Sequence, residues 1–212
     1  MTTARSTTTR LYDYWRSSAS YRVRIALGLA GLDWEAIPID LVAGAQREQH
    51  HVERNPQGLV PVVELDGLRL TQSLAIIEYL DETRMLGLLP ENPASKARVR
   101  ALSYAIAMEI HPICNLRVAK FATAHSAGSI DMKAWMQHFI AAGLADFEAM
   151  LNGEPYCFGA SVTMADICLV PQVYNATRWE VDMTPFPRTR TIADRLERLP
   201  AFQGARPETA GH

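Results

Sequence analysis

The sequence predicts two domains of different class, an α/β domain with a mixed sheet covered by helices, followed by an all-helical domain. Short strand-like runs alternate with helical runs before residue 88, Leu89-Pro-Glu-Asn-Pro has the composition of a linker, and no strand alternation follows it. We therefore expect a flexible N-terminus over 1–9, the first domain over 10–88, a linker over 89–94, the helical domain over 95–205 and a flexible tail over 206–212.

The first half of the α/β domain contains two strands around a helix. Residues 9–15 (Thr-Arg-Leu-Tyr-Asp-Tyr-Trp) have the composition of a strand. Residues 18–29 follow as a helix, because their apolar positions are spaced to face a core, and Gly31 suits the C-terminal turn. Residues 34–41 are a second strand candidate, and a polar stretch that includes His51 comes next.

The second half of this domain contains a hairpin and a helix. Residues 60–65 and 68–70 are two strand candidates, and the Asp66-Gly67 pair between them is a strong hairpin signal. Residues 74–80 open another helix. The complete order is β-α-β-α-β-β-α, which predicts a mixed sheet.

The remainder of the chain predicts helices alone. Residues 97–125 form one long helical pattern with a kink at Pro112, since proline cannot donate the interior hydrogen bond. Residues 131–151 form a second helix with one apolar stripe. Thr163 and Asp166 have the spacing of a capping box at the start of a third.

The composition argues against several classes of function. The chain has 212 residues, 48% hydrophobic and 21% charged, as in an ordinary globular protein. A net charge of -2 predicts no nucleic-acid or membrane partner, and no apolar run approaches the roughly 18 residues of a membrane span. Cys114, Cys157 and Cys168 contain no CxxC pair, so we expect no disulfide framework and no metal site, and a reducing, cytoplasmic location.

Several segments resemble the zeta-class glutathione transferases, the group that contains maleylacetoacetate isomerase. The first is Arg16-Ser-Ser-Ala-Ser-Tyr-Arg-Val-Arg-Ile-Ala-Leu27, and the matches extend in the family's order from about Leu11 to Phe202. One departure is Ala19, where the signature usually has a cysteine, so no thiol role is carried over to that position. The related maleylpyruvate isomerases also lack that cysteine. The other matching segments are 55–61, 72–80, 163–173 and 181–187.

The resemblance implies both a fold and an activity. The fold would be that of a glutathione transferase, with a thioredoxin-like N-terminal domain around a four-stranded sheet and a helical C-terminal domain. The activity would be glutathione-dependent cis-trans isomerisation of maleylacetoacetate or maleylpyruvate, in the degradation of tyrosine and other aromatic compounds. Glutathione would be a cofactor that is not consumed, and the protein would be a homodimer.

Gln72 and Ser73 stand where a helix begins, which is a suitable place for an anion. Backbone N–H groups and the positive end of the helix dipole favour a carboxylate there, and the Ser73 hydroxyl adds a donor. A plain helix cap would explain the serine equally well. The resemblance implies that these residues bind the γ-glutamyl end of glutathione. It also implies a cis bond between Val60 and Pro61, with the backbone of Val60 turned toward the cysteinyl group, and it places Gln46 at the glycyl end.

Ser17 and Ser18 precede the first predicted helix, where a thiolate would be stabilised by the dipole and by hydroxyl donors. A cap remains the alternative here too. The resemblance implies that Ser17 is the principal donor to the thiolate, with Ser18 close by. It also implies that His111, Asn115 and Arg117 contribute from the helical domain, and a structural role for His111 stays open.

A substrate with carboxylates needs cations, and arginine binds carboxylates in bidentate fashion. The resemblance implies Arg178 as the substrate-carboxylate ligand. Arg16 and Arg117 resemble the additional clamps of maleylpyruvate isomerases, although each could also be a solvated surface charge. We expect Arg22 and Arg24 to be surface or interdomain salt-bridge residues.

Two other functions fit the same residues. A transferase would conjugate glutathione to α-halo acids or other small electrophiles and would consume it. A non-catalytic binding module would reuse the fold and would have an eroded glutathione site. The presence of Ser17, Val60, Gln72 and Ser73 argues against such erosion.

Overall fold

The computed structural model describes residues 8–153 and 155–210. The chain folds into two compact units, the first formed by residues 1–86 and 199–212 and the second by residues 87–198. Most of the predicted flexible N-terminus, and the last two residues of the predicted flexible tail, lie outside the described residues. Within the described part of the chain, no helix is long and apolar enough to cross a membrane.

The first unit contains a mixed four-stranded sheet, as predicted. The strands stand in the order β2-β1-β3-β4, with β1 parallel to β2 and antiparallel to β3, and with β3 antiparallel to β4. The core-facing residues Leu11, Val62 and Val63 are fully buried. The strands are β1 (Arg10–Asp13), β2 (Glu35–Pro38), β3 (Val62–Leu65) and β4 (Leu68–Thr71).

The helix between β1 and β2 has the predicted bounds. This helix, α1 (Ser18–Leu29), ends in a turn in which Gly31 has a φ of 63° and the N–H of Leu32 donates to the carbonyl of Leu27 over 3.1 Å. Glycine suits that position because it adopts positive φ without steric cost. The predicted hairpin is also present, with Asp66 and Gly67 both at positive φ.

The other two helices of the sheet region lie on either side of the hairpin. A short helix, α2 (Gln49–Val52), occupies the polar stretch before β3, and α3 (Ser73–Arg84) follows β4 directly. Only one side chain of α2 is buried, that of His51. The helix predicted over residues 74–80 is α3, which begins one residue earlier, at Ser73, and extends to Arg84.

The end of the chain belongs to the first unit, whereas the predicted boundary placed residues up to 205 in the helical domain. The helix α10 (Pro200–Gly204) packs against α1, and a Cβ at Gly28 would lie only 3.3 Å from atoms of Ala201. Phe202 is fully buried, and Arg24 donates to the carbonyl of Ala205 over 3.0 Å. A last helix, α11 (Pro207–Ala210), follows within the predicted tail.

The second unit consists of helices in the described residues. The prediction of one kinked helix over residues 97–125 is wrong. The chain instead forms a π-helical segment at Ala105–Ile110, in the turn before Pro112, which has no N–H to donate. It then breaks at Cys114, because the Asn115 side chain caps a new helix. The helices of this unit are α4 (Pro93–Tyr104), α5 (His111–Ile113), α6 (Leu116–Ala124), α7 (Met132–Met150), α8 (Met164–Arg178) and α9 (Pro187–Leu196).

Two features of this unit fix its packing. The predicted capping box begins α8, where the buried carboxylate of Asp166 accepts from the N–H of Thr163 over 2.8 Å and from its hydroxyl over 2.7 Å. On α7, Gly143 allows the π-helical segment to approach closely, since a Cβ there would lie 2.3 Å from Cγ1 of Ile110. An alanine at this position would force Ile110 to move.

Candidate active site

Ser17 caps the first helix and keeps a proton to donate. Its hydroxyl oxygen accepts from the N–H of Ser20 over 3.2 Å, and its own N–H donates to the carbonyl of Tyr14 over 2.8 Å. A hydroxyl that accepts one hydrogen bond retains its O–H as a donor. The cap and the thiolate donor are therefore compatible roles for this serine. Ser18, the first residue of α1, is half-buried beside it.

The start of α1 is electrostatically suited to an anion. Neither α1 nor α3 has an acidic residue in its first turn. The first N–H groups of a helix have no intrahelical acceptor, and they carry the positive end of the dipole. An incoming anion therefore meets donors at both helix starts, without a competing carboxylate in either first turn.

Arg16 is held beside Ser17 by two aromatic rings. Its guanidinium carbon lies 4.7 Å from the ring centroid of Trp15 and 5.9 Å from that of Tyr14, and Nη2 donates to the Tyr14 hydroxyl over 3.1 Å. Its Nε is buried and has no hydrogen-bond partner among the described residues. Arg16 is therefore a cation held next to the proposed thiolate site, and its Nε–H can donate a further hydrogen bond.

The start of α3 has an unusual backbone. Gln72, the N-cap residue, has a φ of 67°, which a non-glycine residue rarely adopts, and its side chain donates to the Gln57 amide oxygen over 2.7 Å. Ser73 is buried, and its hydroxyl oxygen accepts from Nη1 of Arg22 over 3.3 Å. Strained backbone persists where surrounding contacts impose it, often at ligand sites. The Ser73 O–H remains a donor.

Arg22 and Arg24 are not surface residues, contrary to the prediction. Both are almost completely buried in α1, whose residues from 20 to 27 are all buried and offer no solvent-facing side. Arg24 forms an ion pair with the buried carboxylate of Asp13 and donates to the carbonyl of Trp15 over 2.9 Å. The ion pair thus supports the loop that carries Arg16.

The backbone at Val60, between α2 and β3, has polar groups that are available for hydrogen bonds. The bond between Val60 and Pro61 is cis, as the resemblance implies. Neither the N–H nor the carbonyl of Val60 takes part in a hydrogen bond within residues 8–153 and 155–210. Gln46 lies in a short 3₁₀ helix, and its Oε1 is likewise buried without a partner in the described chain. These are polar groups that a peptide ligand could satisfy.

The predicted residues of the second unit stand on three of its elements. His111 is half-buried at the start of α5, and Asn115 caps α6 by accepting from the N–H of Arg117 over 3.0 Å. Arg117 is exposed. Arg178 is the last residue of α8, also exposed, with its guanidinium carbon 4.9 Å from the ring centroid of Trp179.

Two of the protein's three thiols are held protonated by their surroundings. All three cysteines are free, and burial raises the pKa of the half-buried Cys114 to about 11. Burial raises the pKa of Cys157 well above its ordinary value, and the negative charge of the nearby Asp166 carboxylate raises it further. Thiols of high pKa remain protonated and unreactive near neutral pH. Within the described residues, no group of metal-ligating side chains is present either.

The structure therefore brings some of the predicted residues together. Arg16, Ser17 and Ser18 share the start of α1, and the contact between Arg22 and Ser73 joins α1 to the start of α3. The burial of Arg22 and of His51 was not predicted from the sequence. A signal for Arg22 was available, because a charged residue inside an apolar helical run needs a buried partner.

The residues of the first unit fit glutathione. A tripeptide with a carboxylate at each end and a thiol between them requires anion sites, a backbone partner and a donor to sulfur. Ser73 at α3 offers an anion site and Ser17 at α1 offers a donor to sulfur. The backbone of Val60 offers a peptide partner, and the Gln46 oxygen offers an acceptor for a peptide N–H of the ligand. The fit rests on hydrogen-bonding capacity that is left unused within the described part of the chain.

Comparison with known proteins agrees with this fit. Residues 7–82 match the family described as glutathione S-transferase, N-terminal domain. Over 207 residues the chain is 56% identical to the maleylacetoacetate isomerase of Rhizobium meliloti (strain 1021), covering 95% of this chain and 97% of that one.

Two solved structures are closely similar. One is the holo structure of a maleyl pyruvate isomerase, a bacterial zeta-class glutathione S-transferase, with a TM-score of 0.90, 37% identity and coverage of 94% of this chain and 97% of that one. The other is a maleylacetoacetate isomerase from Methylobacterium extorquens AM1 with bound malonate and glutathione, with a TM-score of 0.88, 35% identity and the same two coverages, 94% and 97%.

Proposed function

The chain belongs to the zeta class of glutathione transferases and is a glutathione-dependent isomerase, and we propose that its substrate is maleylacetoacetate or maleylpyruvate, which it converts to the fumaryl isomer. One observation carries the proposal. The helix starts at Ser17 and Ser73 have no acidic residue in their first turns, and Arg22 of α1 donates to Ser73. This arrangement stands in a chain that is 56% identical to a maleylacetoacetate isomerase.

Glutathione, when bound, supplies a thiolate that adds reversibly to the cis double bond, so that the bond between the two carbons can rotate before the thiolate leaves. Ser17 keeps that sulfur in its charged form by donating a hydrogen bond to it from its hydroxyl group. Ser18 and the dipole of α1 add to the same effect. A free thiol with a pKa near 8.5 is ionised to only a few per cent at pH 7, so this stabilisation raises the reactive fraction.

Four residues of the first unit hold the rest of the cofactor. Ser73, with Gln72, binds the γ-glutamyl carboxylate through its hydroxyl and the first N–H groups of α3. Val60 pairs its backbone with the cysteinyl group, and Gln46 binds at the glycyl end. His111 and Asn115 are the cofactor ligands that we propose from the second unit.

Arginines bind the carboxylates of the substrate. Following the family resemblance, we assign the principal contact to Arg178, with Arg117 and Arg16 as further clamps. The planar guanidinium group of arginine is suited to bidentate pairing with a carboxylate. Arg16 also places positive charge next to the sulfur, where it would stabilise negative charge that develops on the substrate during addition.

The experiment that tests this function follows the substrate by proton NMR in the presence of glutathione. Maleylpyruvate and maleylacetoacetate are supplied separately, and a small α-halo acid serves as the competing substrate class. Appearance of the fumaryl isomer, with glutathione recovered, supports the proposal. Accumulation of a glutathione adduct or release of halide, without isomerisation of either maleyl compound, refutes it in favour of conjugation.

The biological setting is also a proposal. Three free thiols favour a reducing compartment, and we place the protein in the cytoplasm. We propose a homodimer, as in the family, and a role in the degradation of tyrosine or of other aromatic compounds. Sedimentation at the mass of a monomer at micromolar concentration would contradict the dimer.

A further inference from the structure

A buried histidine holds the backbone carbonyl that precedes Val60. The carbonyl oxygen of Leu59 accepts two hydrogen bonds, from Nε2 of His51 over 3.0 Å and from the side-chain amide of Asn55 over 2.9 Å. His51 is fully buried and Asn55 is 3% exposed. A carbonyl oxygen has two lone pairs, so this acceptor is fully used.

The partner identifies which ring nitrogen of His51 is protonated. A carbonyl oxygen can only accept, so Nε2 must carry the hydrogen that it donates. Nδ1 is buried and has no hydrogen-bond partner in the described part of the chain. The imidazole therefore serves as a single donor aimed at Leu59.

The held carbonyl fixes a second group through the planarity of the peptide. The only cis bond among the described residues is the one before Pro61, so the peptide between Leu59 and Val60 is trans, and its N–H points away from its carbonyl. The N–H of Val60 is therefore directed away from His51, and it has no hydrogen-bond acceptor among the residues that the structure describes. Hydrogen bonds to the carbonyl also polarise the same amide.

We propose that His51 is a positioning residue for glutathione, which sets the orientation and donor strength of the Val60 N–H by holding the Leu59 carbonyl. The inference rests on the proposed pairing of Val60 with the cysteinyl carbonyl of glutathione. Asn55 shares the task, and its own Oδ1 accepts from the N–H of Gln57 over 3.1 Å, which fixes the orientation of its amide. His51 itself touches neither cofactor nor substrate in this scheme.

The test compares two ligands in two variants by calorimetry. Glutathione carries the cysteinyl carbonyl, whereas γ-glutamylcysteamine keeps the γ-glutamyl group and the thiol but lacks that carbonyl and the glycine. In His51→Phe we expect the Kd for glutathione to rise about three- to tenfold, the worth of one hydrogen bond, and the Kd for γ-glutamylcysteamine to stay unchanged. His51→Gln, which places an amide donor at a similar distance along the side chain, should restore most of the glutathione affinity.

Kinetics and a neighbouring residue supply the controls. The KM for glutathione should rise in His51→Phe while kcat at saturating glutathione stays the same, since the reacting atoms are not contacted. His50 is the exposed neighbour of His51 on the same short helix, and His50→Gln should change neither the KM for glutathione nor kcat. Equal weakening of both ligands, or no weakening of either, would overturn the proposal.

Two NMR measurements separate this proposal from the one on which it depends. The imidazole nitrogen shifts of His51 in the unaltered protein should report the Nε2-protonated tautomer, and the other tautomer would overturn the inference even if His51→Phe failed to fold. The Val60 amide should shift when glutathione is added but not when γ-glutamylcysteamine is. If the Val60 amide resonance does not shift when glutathione is added, the Val60 contact is refuted. If it shifts by the same amount in His51→Phe as in the unaltered protein, only the role of His51 is refuted.

Discussion

The guanidinium of Arg22 donates a hydrogen bond to the hydroxyl of Ser73 over 3.3 Å, and both side chains are buried. The donor stands on α1 and the acceptor is the first residue of α3, so one side chain connects α1 to the start of α3. This contact occupies the oxygen of Ser73 and leaves its proton for a ligand. It also places a positive charge close to the proposed carboxylate site.

Replacing Arg22 should weaken glutathione binding through Ser73. We expect Arg22→Met to raise the Kd for glutathione about tenfold, because a hydrogen bond to a charged group is lost and the positive charge disappears. Calorimetry on Arg22→Met, Ser73→Ala and the double variant measures the coupling. If the effects of the two single substitutions simply add, the two residues do not act together.

The buried ion pair between Asp13 and Arg24 should dominate the stability of the first unit. We expect Asp13→Asn to lower the free energy of unfolding by about 3 to 5 kcal/mol, since it leaves a buried guanidinium uncompensated. Urea denaturation provides the measurement. Glu35→Gln, which breaks the exposed pair with Arg10, is the control and should have little effect. A similar loss in both variants would mean that burial of the pair is unimportant.

Arg178 should bind a carboxylate of the substrate rather than the cofactor. In Arg178→Ala the KM for a maleyl diacid should rise about ten- to hundredfold, whereas that for a neutral electrophile should change little. Steady-state kinetics with both substrates make the comparison. Arg190→Ala, at another exposed arginine of the second unit, is the matched control. Equal effects of Arg178→Ala on the two substrates would remove Arg178 from the carboxylate role.

Glu148 should make the second unit sensitive to acid. Burial alone would raise the pKa of its carboxyl, but hydrogen bonds from Thr189 and Arg188 outweigh burial and lower it. A carboxyl with a lowered folded pKa contributes stability above its unfolded pKa, near 4.3, and loses it as the pH falls through the folded value.

A pH series of unfolding measurements tests this sign. Glu148→Gln should be less stable than the unaltered protein at pH 7, and the difference should shrink as the pH falls below about 4. Asp131→Asn, a substitution at the helix cap of α7, controls for general loss of negative charge. A difference that grows toward low pH would contradict the assignment.

Local patterns in the sequence predicted most of the fold. Residues 18–29, the Asp66-Gly67 hairpin and the capping box at Thr163 were identified because their signals lie within a few neighbouring residues. The break after Pro112 was missed because the cap at Asn115 competes with continuation of the helix, and propensity alone does not decide between them.

The long-range features could not be derived in the same way. The packing of residues 199–205 on α1 depends on contacts far apart in sequence, such as that between Arg24 and Ala205. The burial of His51 has no local signature, because its partner lies on another segment. For Arg22, a charge inside an apolar helical run indicates burial but does not identify Ser73 as its partner. The resemblance to a known family, and not periodicity, supplied the individual ligand roles.

The most direct test of the account is the ionisation of glutathione bound to the protein, followed by the ultraviolet absorbance of its thiolate as the pH is raised. We predict a pKa clearly below the value of about 8.5 for a free thiol, a return toward that value in Ser17→Ala, and little change in the control Ser20→Ala. Bound glutathione that titrates as it does in solution would contradict the claim that Ser17 and the start of α1 hold the sulfur as an anion.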